Sequence, residues 1–235
     1  KCFVNWIKSI NSLISGSQIA IDGKTLRHSY DHNSEQAAIV MVTAWAKESG
    51  LVLAQKKVAK KSNEITAVPE LLKILELSGA IVTLDAMGCQ TKIVNQIVNQ
   101  EADYLITLKK NQGGLHKRVD DLFKVALSEN KNDFFPSNYS VYESGHGRTE
   151  QRCYHVLNDI QELVDSPKKW SNLNSVVHVE SIRQLKNGKI KHENRYFITS
   201  LSQDAQQLAE YIRGHWGIEN QLHWVLDVGF NEDGS

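Results

Sequence analysis

The chain has 235 residues and carries 27 Lys and Arg against 27 Asp and Glu, so its formal net charge is zero. At 41% hydrophobic and 23% charged it has the balance of an ordinary soluble globular protein, long enough for one sizeable core or for a core with an inserted subdomain. No apolar run approaches the roughly 18 residues of a membrane span, and the opening KCFVNWIKSI is too polar for a secretory leader.

Cys2, Cys89 and Cys153 stand far apart with no CxxC pair, which favours a reducing cytoplasm and argues against a disulfide frame or a thiolate zinc site. Charge neutrality does not favour a nucleic-acid binder by composition alone. Lysines nevertheless gather in KKVAKK (56–61), and basic residues return in KKNQGGLHKR (109–118). The chain opens on Lys1 and stops at NEDGS, and it is read as a fragment of a longer protein, with residues 1–18 the remnant of an N-terminal region.

In chain order, residues 3–14 read as a short helix, followed by strands at 19–22, 37–46 and 51–59. The ESG at 48–50 folds the second strand onto the third as a hairpin. A helix starts near Ser62 or Asn63, with Ile65, Val68, Leu71, Leu72 and Leu75 at helical spacing, and ends at Gly79. A strand at 81–85, a helix at 89–100, a strand at 103–110 and an amphipathic helix at 115–129 follow. Residues 131–199 change character: they hold Pro136, Pro167 and β-like runs at 151–157, 175–185 and 190–200, the last two joined by the Asn-Gly turn of KNGK. From about 202 the pattern is helical again. The expected architecture is an α/β core over 19–130 and 200–235 with a β-rich insertion at 131–199. Its mixed sheet, flanked by helices, has ribonuclease H-like order, with parallel pairing through the strand-helix-strand units.

Two of these strands run straight into an acid. IAIDGK (19–24) delivers Asp22 and AIVTLDAMG (80–88) delivers Asp85. In the expected topology the first and fourth strands are neighbours, so both carboxylates reach one edge of the sheet. Close carboxylates repel and resist ionising unless a cation lies between them, and all-oxygen ligands suit Mg²⁺. A third acid completes a two-metal site for phosphodiester chemistry. Glu219 is the candidate: His215, Glu219, His223 and Asp227 recur every four residues, each step adding about 40° around a helix. Arg213 and His215 are candidates for phosphate contact. A zinc site of His215, Glu219 and His223 is the weaker alternative, because that spacing stretches over more than two turns.

The segments AIDGKTLRHS, VTLDAMGCQT, LITLKKNQG, GHGRTEQR and RGHWGIENQLHWVLDVGFNED resemble, in this order, the H-repeat-associated insertion-sequence transposases of bacteria. These belong to the DDE superfamily with a ribonuclease H-like catalytic core. The resemblance covers about residues 19–233. It implies that Asp22, Asp85 and Glu219 are the catalytic acids and hold two Mg²⁺ or Mn²⁺ ions. It also implies double-stranded DNA as partner (element ends and target), action as a homodimer on paired ends, and a cytoplasmic, nucleoid-associated location. Within it, Arg148 and Arg152 are candidate DNA contacts, as are Lys109, Asn111 and Gln112. Many relatives have Tyr and Arg seven and four residues before the Glu and Lys seven after; here those positions hold Ile212, His215 and Leu226. A truncated remnant that only binds DNA or partner subunits is the alternative function.

Overall fold

The structure is a computed structural model, and it describes residues 16–26, 29, 38–58, 64–128, 137–145, 148–158, 160 and 169–232. The helix expected at 3–14 and the cap expected at Ser62 or Asn63 lie outside these residues. The chain forms two compact α/β units: one runs to Tyr104 and resumes at Tyr211, the other is Leu105–Glu210. This division falls earlier than the sequence boundary at 130/131, because a strand and a helix before that boundary pack with the β-rich segment.

The first unit contains β1 (Gln18–Leu26), β2 (Ile39–Ala46), β3 (Leu51–Lys57) and β4 (Ile81–Leu84), in spatial order β3-β2-β1-β4. β1 to β3 form an antiparallel meander, and β4 lies parallel to β1. A parallel partner needs a crossover, here supplied by α1 (Glu64–Leu72). β1 is longer than expected. Its first four residues are buried and the rest are mostly half-buried, so its polar end, GKTL, continues the ladder with β2.

α2 (Thr91–Asn99) packs beside α1. Gln96 and Gln100 donate side-chain amides to the carbonyls of Pro69 and Leu72, adding to the backbone N–H bonds of Lys73 and Leu75 at the end of α1 and tying the two helices together. The unit's core is Ile19, Ile21, Leu71, Leu72, Ile93, Ile97 and Tyr104, all essentially inaccessible to solvent.

The second unit takes most of β5 (Asp103–Leu108), then α3 (Gly113–Ser128), β6 (Ser137–Gly145), β7 (Arg148–Asn158), β8 (Ser175–Leu185) and β9 (Ile190–Thr199). Its antiparallel order is β5-β9-β8-β7-β6, so the β-rich segment is itself a meander. β8 occupies the 175–185 expected as a β-like run. β6 was not anticipated, because SNYSVYESG is half-buried to exposed throughout and holds only scattered apolar residues.

α4 (Ala205–His215) leads through a π-helical stretch (Ile218–His223) into α5 (Trp224–Phe230). The π turn is marked by the Trp224 N–H bonding to the Glu219 carbonyl, five residues back rather than four. His215, Glu219, His223 and Asp227 therefore do not follow the uniform four-residue face that α-helical geometry predicts.

Candidate active site

The sheet register brings together the two acids that follow apolar runs. β1 and β4 pair in parallel with Ile21 opposite Leu84, so Asp85 leaves the end of β4 beside Asp22, which lies within β1 opposite Thr43 of β2. Asp85 also serves as the cap of a short 3₁₀ turn, where its Oδ1 accepts from the N–H groups of Met87 (2.9 Å) and Gly88 (3.3 Å). Gly88 is required for that turn, since a Cβ would stand 2.8 Å from Leu84 Cβ.

Asp22 is the most perturbed acid. Its carboxyl is pushed up to about 7, first by burial and then by the facing negative charges of Glu219, Asp85 and Glu64, against the lowering effect of the Gly23 N–H. Glu219 and Asp85 are the acids that the sequence analysis names with Asp22, and both act on its charge. Glu64, in the first turn of α1, is an acid that analysis missed. Its carboxyl is also raised, by burial and by Asp85. The motif AKKSNEIT marks it only as an early helical Glu, which ordinarily signals a helix start.

The helix bearing Glu219 is fixed by glycines and by one anchor. Ile218 is fully buried against Ala20 and Trp45, with Val52 and Leu222 packed around them. Burying such a side chain contributes about 1.5–3 kcal/mol. A Cβ on Gly217 would lie 2.9 Å from the Trp45 ring, and one on Gly214 would overlap Gln18 and stand 2.9 Å from Lys47 Nζ. The glycines of RGHWGIEN thus let the helix approach the sheet closely, leaving Glu219 exposed beside the anchored Ile218.

The other residues of this helix take roles that sequence spacing does not reveal. His215 is buried and hydrogen-bonds through Nδ1 to Thr83 Oγ1 at 3.0 Å, while Gln18 Nε2 donates to the same Thr83 oxygen at 3.2 Å and to the Tyr211 carbonyl at 2.7 Å. Burial pushes His215 down to about 4, with Asp85 opposing. This corrects the expectation of a phosphate contact at His215: a buried, neutral imidazole bonded to the sheet presents nothing to an anion. Arg213 is half-buried, its guanidinium 5.2 Å from the centre of the Trp216 ring. His223 is buried with Nδ1 3.6 Å from Asp22 Oδ2, and burial lowers its pKa. Lys24, two residues past Asp22 on the same face of β1, ion-pairs with Asp227 and with Glu232 (2.7 Å), tying α5 to that strand.

In the second unit, Arg152 is also corrected. It is 5% exposed and bridges Glu143 and Glu150, both at 2.7 Å, while Arg183 binds Glu150 at 3.0 Å. The register explains the network: Glu143 stands opposite Glu150 and Glu150 opposite Arg183, so the guanidinium joins two acids that would otherwise repel across the strands. Arg148, Lys109 and Asn111 are exposed, and Gln112 is half-buried.

The donor set of Asp22, Asp85, Glu219 and Glu64 is entirely carboxylate, the chemistry a hard divalent cation takes. Its mutual repulsion, legible in the raised Asp22 carboxyl, is what such a cation relieves. Among the described residues no three Asp, Glu, His or Cys side chains converge closely enough to hold one ion as they stand. The same holds for the zinc trio, since His215 is turned onto Thr83.

The fold and site define an α/β protein whose acids meet at the carboxyl edge of a mixed sheet. The chain belongs to the Transposase DDE domain family, which matches residues 15–234. It is 44% identical over its whole length to 60% of "Putative transposase YncI" of Escherichia coli O157:H7. It is 42% identical, over 99% of its length, to 62% of "H repeat-associated putative transposase YhhI", and 43% identical, over 99%, to 62% of "Putative protein YbfL", both of Escherichia coli K12. The chain therefore spans about 60% of the length of these relatives. No described helix is long and apolar enough to cross a membrane.

Proposed function

We propose that this chain is the catalytic region of a DDE transposase with a ribonuclease H-like core, cutting and rejoining DNA phosphodiesters at the ends of an insertion sequence. The observation that carries the reading is the parallel register of Ile21 with Leu84, which sets Asp22 beside Asp85 while Glu219 adds its charge to the same place. The strand order β3-β2-β1-β4, with one parallel pair after an antiparallel meander, supports the same core.

Asp22, Asp85 and Glu219 would hold Mg²⁺ or Mn²⁺, two ions in the full reaction. Such ions supply an activated water or 3′-hydroxyl and stabilise the leaving oxygen. The residues of the chain do the rest. Asp85 is oriented by the Met87 and Gly88 N–H groups, and Glu219 is carried in by the Ile218 anchor. Lys109, Asn111, Gln112, Arg148 and Arg213 are the DNA contacts of this reading, with double-stranded element ends and target as substrate and a homodimer on paired ends in the cytoplasm as the working form. Nicking of element-end DNA with Mg²⁺ is expected from the parent and lost in Asp85→Asn and Glu219→Gln, with DNA affinity retained. Equal nicking by parent and variants ends the proposal.

The separation of the carboxylates favours one second reading: a protein that binds DNA or partner subunits without cutting. It predicts salt-sensitive DNA binding and no metal-dependent nicking by the parent itself.

A further inference from the structure

One face of β1 carries Gln18, Ala20, Asp22 and Lys24, alternate residues of the strand. Each meets the helical run that bears Glu219. Gln18 reaches the Tyr211 carbonyl, Ala20 receives Ile218, Asp22 faces His223, and Lys24 pairs with Asp227. The run therefore lies along the strand that delivers Asp22. The Ile218 anchor alone does not fix its height. An apolar side chain in an apolar pocket is attracted without direction, so that contact permits small slides and rotations. Hydrogen bonds do not, because they weaken steeply as distance and angle change.

The directional ties come from polar residues that the proposed chemistry leaves without a task. Gln18 and Thr83 are wholly buried and His215 nearly so. Gln18 Nε2 joins Tyr211 on the helix to Thr83 on β4, and Thr83 joins His215, one turn on from Tyr211. Thr83 accepts from Gln18 and has one proton to give; donating it to His215 Nδ1 leaves no buried hydroxyl proton orphaned. Thr83 also stands opposite Ala20 and two residues before Asp85, so the same joint includes the strand of the second acid. Gln18 is itself held at both backbone groups: its N–H donates to Glu48 Oε2 at 2.9 Å and its carbonyl accepts from the Lys47 N–H at 3.0 Å.

Buried polar side chains are costly against apolar ones of similar volume, and their best-attested use is to fix register. The cost is visible here. Gln18 Oε1 is buried with no hydrogen-bond partner among the described residues, and a Cβ on Gly214 would stand 2.1 Å from it. The φ of Gly214 does not call for glycine, so the missing side chain admits Gln18.

We propose that Gln18 and Thr83 are positioning residues: through Tyr211 and His215 they set the height and rotation of the helical run, and so the place of Glu219 relative to Asp22 and Asp85. This rests on the metal-dependent reading above.

The test is single-turnover nicking, with Mg²⁺, of duplex DNA carrying the ends of the chain's own element. It compares the 235-residue chain with its Thr83→Val, Thr83→Ser, Gln18→Met and Asp85→Asn variants, and follows amide hydrogen exchange of each in EDTA. Thr83→Val and Gln18→Met are expected to slow nicking at saturating DNA about tenfold or more with DNA affinity unchanged. Both should speed exchange across 211–227 about fivefold, the equivalent of one lost hydrogen bond, and leave β8 unaffected. Thr83→Ser keeps the hydroxyl and should match the parent in both measurements. If Thr83→Val fails to fold, Gln18→Met and Thr83→Ser decide. Faster exchange with nicking at the parent rate means a structural role only and overturns the proposal, as does a Thr83→Ser protein as slow as Thr83→Val. In either case, nicking lost in Asp85→Asn leaves the metal-dependent reading standing. A parent that does not nick, or an Asp85→Asn protein as fast as the parent, overturns that reading and the positioning role with it.

Discussion

Replacing Asp22 by Asn should stabilise the metal-free protein while abolishing its metal response. The Asp22 side chain is 19% exposed, and its carboxyl is held at about 7 by burial and by three facing acids. An unfolded Asp ionises near 3.9, so ionising Asp22 in the folded state above pH 7 costs about 4 kcal/mol by linkage. The sign follows from proton counting. The folded state holds the proton that the unfolded state releases between about 4 and 7, so stability falls as pH rises through that window and levels off above it. Asparagine has the same shape, still accepts from the Gly23 N–H, and carries no charge. Neighbouring acids relax in part, so a gain of about 2–4 kcal/mol at pH 8 is expected, or about 5–10 °C in Tm for a chain of this length. The assay is urea and thermal unfolding of parent and variant in EDTA at pH 4.5 and pH 8, repeated with Mn²⁺. The gain should shrink to below about 1 kcal/mol at pH 4.5, and Mn²⁺ should raise the Tm of the parent only. A variant no more stable than the parent at pH 8 would refute the claim that the acids repel one another in the folded state.

His215, held down to about 4 by burial, should make stability fall as pH drops from about 6.5 toward 4: the unfolded chain takes up a proton that the folded one refuses, at a cost of about 3 kcal/mol. A His215→Gln variant should show a shallower decline in pH-dependent unfolding, and an unchanged slope would count against burial as the cause. Arg152→Met should destabilise by about 3–5 kcal/mol because it leaves Glu150, 4% exposed, with only Arg183, whereas Arg148→Ala should leave unfolding unchanged. In DNA-binding titrations Arg148→Ala should weaken affinity across all sequences and reduce the salt slope by about one.

The parts legible in the sequence were those set by local pattern. The apolar runs ending on Asp22 and Asp85 gave the strands, the crossover helix gave their parallel pairing, and together these placed two acids abreast. What was not legible depends on register or on departures from ideal geometry. The exposed β6 has little apolar alternation to find. Arg152 looks like any basic strand residue until the register sets Glu143, Glu150 and Arg183 around it. Glu64 looks like a helix-start residue until Gly23 is seen to lie beneath its carboxyl. Glu219 and Asp227 appear to share a face only if the helix keeps 3.6 residues per turn, and the π turn from Glu219 to Trp224 breaks that rule.

That π turn also explains how one short helix serves two opposed demands. Ile218 must enter the apolar pocket of Ala20 and Trp45, while the next residue must carry a charge to the sheet edge. Gly214 and Gly217 bring the backbone close enough for the first. Closeness alone would also draw the polar residues of the following turn toward the sheet. Spacing that turn by five residues changes their phase, so His223 arrives 3.6 Å from Asp22 and Asp227 reaches Lys24. The carbonyls left weak at a π turn cost stability, as the crowded carboxylates do. Both costs fall at one place, where a bound cation would offset the second. On the metal-dependent function proposed above, the arrangement follows from the cation it would hold rather than from how well it folds.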